Sequence, residues 1–149
     1  MNKEVDIKIT GIQTDGNDTG EVTAKVAGQY FFKNNKHYIL YDEYLEENNP
    51  DSLNKNTITI HNRNDKLCAN LIKKGYQNSH LTFTVGEKYA TSYHTPYGTF
   101  LMVVDTTYMD VHVDDDNIYL EIKYDLHMND EFISHNNIKI EIQNNRNSE

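Results

Sequence analysis

The chain holds a single cysteine, Cys68, so it can form no intrachain disulfide and no cysteine-based zinc cluster. Basic residues are scarce. Only 14 lysines and arginines stand against 23 aspartates and glutamates, a formal net charge of -9. Proteins that grip nucleic acid neutralise phosphates with clustered lysine and arginine. No such cluster occurs here, which argues against nucleic acid and against anionic membrane surfaces as partners. Long apolar runs are missing too. The longest clean one, Phe100 to Val104, is far too short to span a bilayer. Met1 to Asp6 is charged and has no apolar export segment, so the cytoplasm is the expected location. No stretch sustains a helical period. There is no Gly-rich phosphate loop and no Gly-x-Ser-x-Gly elbow, and hence no motif for a cofactor or an enzymatic nucleophile.

What the chain does have is alternation. Its 149 residues suit one domain with one core, and 11 tyrosines and 5 phenylalanines supply large buriable surfaces to a composition only 37% hydrophobic. Val5, Ile7 and Ile9 alternate with Asp6 and Lys8, the period of a strand with one buried face. Val22, Ala24, Val26, Gly28 and Tyr30 share one parity after the turn-rich Asp15 to Gly20. Asn34-Asn35 reads as a turn, and Tyr38 to Tyr44 as a third strand. Glu46 to Asn56 is polar, contains Pro50, and reads as a loop or short helical turn. Ile58 with Ile60, then Leu67 with Ala69 and Leu71, then Leu81 with Phe83 and Val85, mark three further rows. Tyr89, Thr91 and Tyr93 continue after Gly86. A long strand runs from Thr99 to about Val113. After the Asp114 to Asn117 turn, Ile118, Leu120, Ile122, Tyr124 and Leu126 form another row, and Ile138, Ile140 and Ile142 the last. Residues 144–149 read as a frayed tail.

Short, evenly spaced strands with turn residues between them indicate an all-β antiparallel barrel or sandwich. Two features favour the barrel. Gly28 falls on the inward parity, where it loses packing but permits a sharp bend, and Thr99 to Val113 is long enough to coil. The stretch Thr91-Ser92-Tyr93-His94-Thr95-Pro96-Tyr97-Gly98, with Tyr124-Asp125-Leu126-His127 and His135-Asn136, resembles the bacterial YwiB-like family, domain of unknown function 1934. The resemblance runs from the first strand to Ile142. It implies a cytoplasmic, calycin-like or lipocalin-like β-barrel of about eight to ten strands, and it carries no activity, cofactor or catalytic residue.

Metal sites are poorly supported. Asp15-x-Asn17-x-Thr19-Gly20 matches the first half of an EF-hand loop, but the twelfth position is Val26 rather than a bidentate glutamate. A hairpin loop explains it, and a hairpin tip explains Asp114-Asp115-Asp116-Asn117. The seven histidines are scattered, and His112 and His127 both fall on the outward parity. Cys68 would need a base to act as a nucleophile; it sits mid-strand between inward Leu67 and Ala69 and reads as a structural thiol.

The tyrosines are more informative. Tyr93 leads the expected pocket, with Thr91 and Tyr89 on its row and Tyr124 and Tyr30 on the inward rows of other strands. Phenols inside a barrel offer an apolar wall with hydrogen-bonding tips. The expected ligand is small, neutral or cationic, with an apolar body, because the chain is acidic and no inward row shows a lysine or arginine to meet an anion. The alternative is a barrel filled by these same side chains, which binds a partner and no small molecule. Phe100 to Val104 and Tyr30 to Phe32 are apolar on both parities, and this surplus leads to the expectation of a homodimer.

Overall fold

Each alternating row finds an antiparallel neighbour. In the computed structural model, which describes residues 1–145, the strands are β1 Glu4–Asp15, β2 Asp18–Lys33, β3 Lys36–Tyr44, β4 Leu53–Arg63, β5 Lys66–Gly75, β6 Ser79–Phe83, β7 Lys88–Thr95, β8 Gly98–Val113, β9 Asn117–Met128 and β10 Glu131–Asn144. They form one ten-stranded sheet in the order β6-β5-β4-β3-β2-β1-β10-β9-β8-β7. Its two ends meet at Asn78 and His94, whose backbones exchange hydrogen bonds of 2.8 and 2.9 Å. The sheet is thereby a nearly closed barrel, which removes most exposed edges. A single 3-10 turn, Pro50–Ser52, is the only helical element among the described residues, and none of their helices could cross a membrane.

Two-residue loops set the register of the hairpins. Asn34-Asn35, Asn64-Asp65 and Asn129-Asp130 all take positive φ at both positions, the type I′ pattern whose twist matches the flanking strands. Asparagine and aspartate tolerate that conformation better than other side-chain-bearing residues.

The inner rows carry the core. Ile7, Ile39, Ile58, Phe83, Leu120, Ile122, Ile140 and Ile142 are essentially inaccessible. Burial of each such side chain stabilises by roughly 1.5–3 kcal/mol against the entropy of ordering. Phe83 packs on Tyr124 across the barrel with ring centroids 4.9 Å apart.

Three readings of the sequence are corrected by the strand pairing. Glu46 to Asn56 is not all loop: β4 begins at Leu53, and Asn54 and Asn56 stand on the same inner row as Ile58 and Ile60. Polarity hid a strand because its inner face turns hydrophilic halfway along. Val85 lies beyond β6 and is exposed, since the chain turns at Thr84 to Glu87. Asn144 is not frayed: it ends β10, accepts a 2.8 Å bond from the Asn2 amide, and donates through Nδ2 to Asp116 at 2.8 Å. The rest of the expected tail, 146–149, lies outside the described residues.

The barrel wall parts at one place. β2 pairs with β1 over nearly its whole length but with β3 only from Gln29 to Lys33. Gly28 sits at the parting. A Cβ there would lie 2.5 Å from the Leu40 carbonyl oxygen and 2.6 Å from Ile7 Cδ1. Glycine is needed because β2 presses on β3 just before the two separate.

Candidate functional site

The inner row of β4 changes character at its middle. Ile60 and Ile58 belong to the apolar core; Asn56 and Asn54 follow, 4% and 0% exposed. The register aligns Tyr41 and Glu43 of β3 on one side of them, and Lys73 and Gly75 of β5 on the other, with Ser79 of β6 beyond Lys73. One end of the barrel is therefore polar inside. Lys73 overturns the expectation that no inward row holds a basic residue. The apolar run Leu67, Ala69, Leu71 ends there, but the strand and its parity continue. Lys73 Nζ donates to Glu43 Oε1 at 2.9 Å, with both side chains about 30% exposed.

Burial, and then the Glu43 carboxylate, raise the Tyr41 hydroxyl well above the ordinary phenol range. The same two causes raise Tyr93. The phenol of β7 thus shares the electrostatic neighbourhood of Glu43 across the β6–β7 seam.

The amides of this layer are incompletely bonded. Asn54 Oδ1 accepts the Gln77 backbone N–H at 2.8 Å, which helps hold the β5–β6 turn against the start of β4. Asn54 Nδ2 and both polar atoms of Asn56 are buried with no hydrogen-bond partner among the described residues. The other such atoms, His61 Nδ1, Thr106 Oγ1 and Asn137 Oδ1, are single and fall on separate strands. A buried amide left unpaired costs about 1–3 kcal/mol per group.

Asn56 also lines the cleft where β2 parts from β3. This cleft has a volume of about 540 Å³, with Ala27, Gly28 and Gln29 on one wall and Leu40, Tyr41 and Asp42 on the other. Glu4, Asp42 and Lys55 are the charged residues that line it, so the cleft is slightly acidic.

The five residues singled out by parity are placed differently. Tyr89, Thr91 and Tyr93 do lie on the more covered parity of β7, opposite Val104, Met102 and Phe100 of β8. The Glu43 carboxylate helps raise the Tyr93 phenol, whereas the Tyr89 hydroxyl donates to Glu87 at 3.1 Å. Tyr124 is a core residue, and burial pushes its hydroxyl up to about 12. Tyr30 hydrogen-bonds His37 Nδ1 at 2.8 Å and lines a separate cleft with Phe31 and Phe32. Burial raises the pKa of Tyr30 and lowers that of His37. Among the described residues no hydrogen bond joins any two of the five. The residues missed by sequence reasoning are Tyr41, Glu43, Asn54, Asn56 and Lys73. The only available signal was the parity of Ile58 and Ile60 carried back through an apparently loop-like stretch.

A second polar group lies outside the barrel wall. His135 Nδ1 hydrogen-bonds Asp125 Oδ1 beside the bulge between Thr106 and Tyr108, in a cleft of about 350 Å³. His127 does not join it and packs edge-on against Phe132. Among the described residues no three histidines, cysteines, aspartates or glutamates gather as a metal site. Asp15 to Asp18 is a two-residue hairpin. Asp114 Oδ1 is occupied by the Asp116 and Asn117 backbone N–H groups, which hold its carboxyl below the usual range.

Comparison with known proteins adds family and fold. The crystal structure of the ywiB protein from Bacillus subtilis superposes with a TM-score of 0.81 over 96% of this chain and 92% of that one, at 16% identity. At that identity the likeness speaks for the fold. No curated protein matches. The family model described as "Domain of unknown function (DUF1934)" matches residues 7–140, nearly the whole barrel, and the chain belongs to that family.

Proposed function

We propose that the protein binds a small, neutral or cationic molecule at the cleft between β2 and β3, and that the Asn56 amide recognises it. The single observation behind this reading is that Asn56 keeps a donor and an acceptor buried, unpaired and beside the cleft. A ligand group with an adjacent acceptor and donor, such as a carboxamide, lactam or urea, satisfies both. Leu40, Ala27 and the Tyr41 ring offer the apolar wall for its body. Glu4 and Asp42 against Lys55 disfavour a net anion, as does the overall charge of -9. Tyr93 contributes through the Glu43 layer at the base of the site, while Tyr41, Glu43 and Lys73 hold that layer in place. Tyr124, Thr91, Tyr89 and Tyr30 shape the barrel around it.

The test is a titration of the ¹⁵N-labelled protein with N-methylacetamide and with a cyclic lactam, following side-chain NH₂ resonances. Saturable shifts at Asn56 and Asn54, absent in Asn56→Leu, are expected. If no side-chain amide in this layer moves with either probe, or if Asn56→Leu binds as the parent does, the proposal fails. The alternative is a filled barrel that binds a partner and no small molecule; it is favoured by the apolar end, where Phe83 and the isoleucine rows occupy the interior themselves.

A further inference from the structure

The parting of β2 from β3 leaves a second feature, an open strand edge. In the β1–β2 hairpin Asp15 and Asp18 flank a two-residue loop, and Tyr30 N–H donates to the Lys3 carbonyl at 2.7 Å. Both facts place the even-numbered residues of β2 in the hydrogen-bonded pairs with β1. The N–H and C=O groups of Thr19, Glu21, Thr23, Lys25 and Ala27 therefore point the other way. β3 begins to pair only at Gln29, and among the described residues no other backbone hydrogen bond reaches these five. All of them are exposed, as is Val22 at 73%. Such an edge is a template for another strand.

We infer that this edge pairs antiparallel with the same edge of a second copy, about a two-fold axis at Thr23. Charge decides the occupant and the register. With the axis at Thr23, Glu21 stands opposite Lys25 of the partner subunit, and Lys25 opposite Glu21 of the partner subunit. Axes at Glu21 or Lys25 set like charges face to face, and axes at Val22 or Ala24 leave both charges opposite neutral residues. Only the Thr23 register is fully self-complementary, as an isologous contact requires. It also makes each of the five outward-pointing residues a hydrogen-bonded pair with its counterpart. A lone edge lysine discourages indiscriminate pairing; here it selects one partner. The same register brings the partner's Asn17 to Gln29, at the rim of the β2–β3 cleft. The inference does not depend on what that cleft binds.

Sedimentation velocity over a concentration series of the full chain tests it. A concentration-dependent dimer is expected. Thr23→Pro removes an N–H that points away from β1, so the barrel should keep its circular dichroism spectrum and sediment as a monomer. Glu21→Lys and Lys25→Glu should each weaken the dimer by about tenfold, and the double exchange should restore it to near the parent value. The charge variants leave the backbone alone and decide the matter even if Thr23→Pro misfolds. A monomer at the highest concentration overturns the inference. So does a dimer that survives Thr23→Pro, or single reversals with no effect, either of which would move association to Phe31 and Phe32 or to Phe100 and Leu101.

Discussion

The two ends of the barrel interior are built on the same strands and obey opposite rules. On β4, Ile58 and Ile60 face Ile39, Leu71 and Ala69, and the layer is part of the apolar core. Two residues along the same row, Asn56 and Asn54 face Tyr41, Glu43 and Lys73, and three amide atoms have no partner among the described residues. The apolar end is where stability comes from, through area removed from water. The polar end sacrifices some of it, since burying unpaired amides opposes folding. The wall is continuous beside the first and parted beside the second. The proposed site and the local cost in stability thus coincide, as expected where a site must remain accessible.

The largest predicted effect tests the apolar end. Phe83→Ala should destabilise by about 3–5 kcal/mol in denaturant titrations, because it empties the space against Tyr124 and the isoleucine rows. Cooperative unfolding with a loss below about 1 kcal/mol would show a core that collapses readily, and would blur the contrast.

Alkaline pH comes next. Tyr124 is held neutral by burial, with its folded pKa near 12 against an ordinary value of 10.0. The unfolded chain therefore releases this proton first, and stability should fall as pH rises from about 10 towards 12. The full shift corresponds to about 3 kcal/mol. Tyr124→Phe should flatten that part of the profile. An unchanged slope would assign alkaline unfolding to other groups, of which Tyr41, raised by burial and by Glu43, is the first to test.

At the parting, Gly28→Ala should cost about 1–3 kcal/mol, since its Cβ meets the Leu40 carbonyl and little can move aside. A neutral outcome would mean that β2 and β3 separate without the close approach.

The smallest effect has the most telling sign. Asn56→Leu should stabilise the free protein by about 1 kcal/mol, because it replaces an unpaired buried amide by a side chain of similar volume. Paired with lost amide binding, that gain would mark Asn56 as kept for recognition. A loss of stability would instead show that protein or ordered water already satisfies the amide.

Much of the fold was legible because a strand with one buried face must alternate. The rows of β1, β9 and β10 follow from alternation residue by residue; Gly28, expected to bend the strand, instead allows the close approach of β2 to β3. On β7 the parity that holds Tyr93 and Thr91 is the more covered one. The polar layer was not legible. Asn54, Asn56 and Lys73 look like loop or surface residues in a sequence, since composition assigns them to water. Only their pairing with Tyr41 and Glu43 turns them inward.

By itself the sequence determined an all-β chain, its turns, its apolar rows and its acidic balance. Those are local properties of backbone sterics, side-chain period and net charge. The tertiary structure alone decided where the wall parts, which amides are stranded, and which strand edge stays open. Each of these depends on the register between strands far apart in the chain, and register is a relation that no single segment encodes.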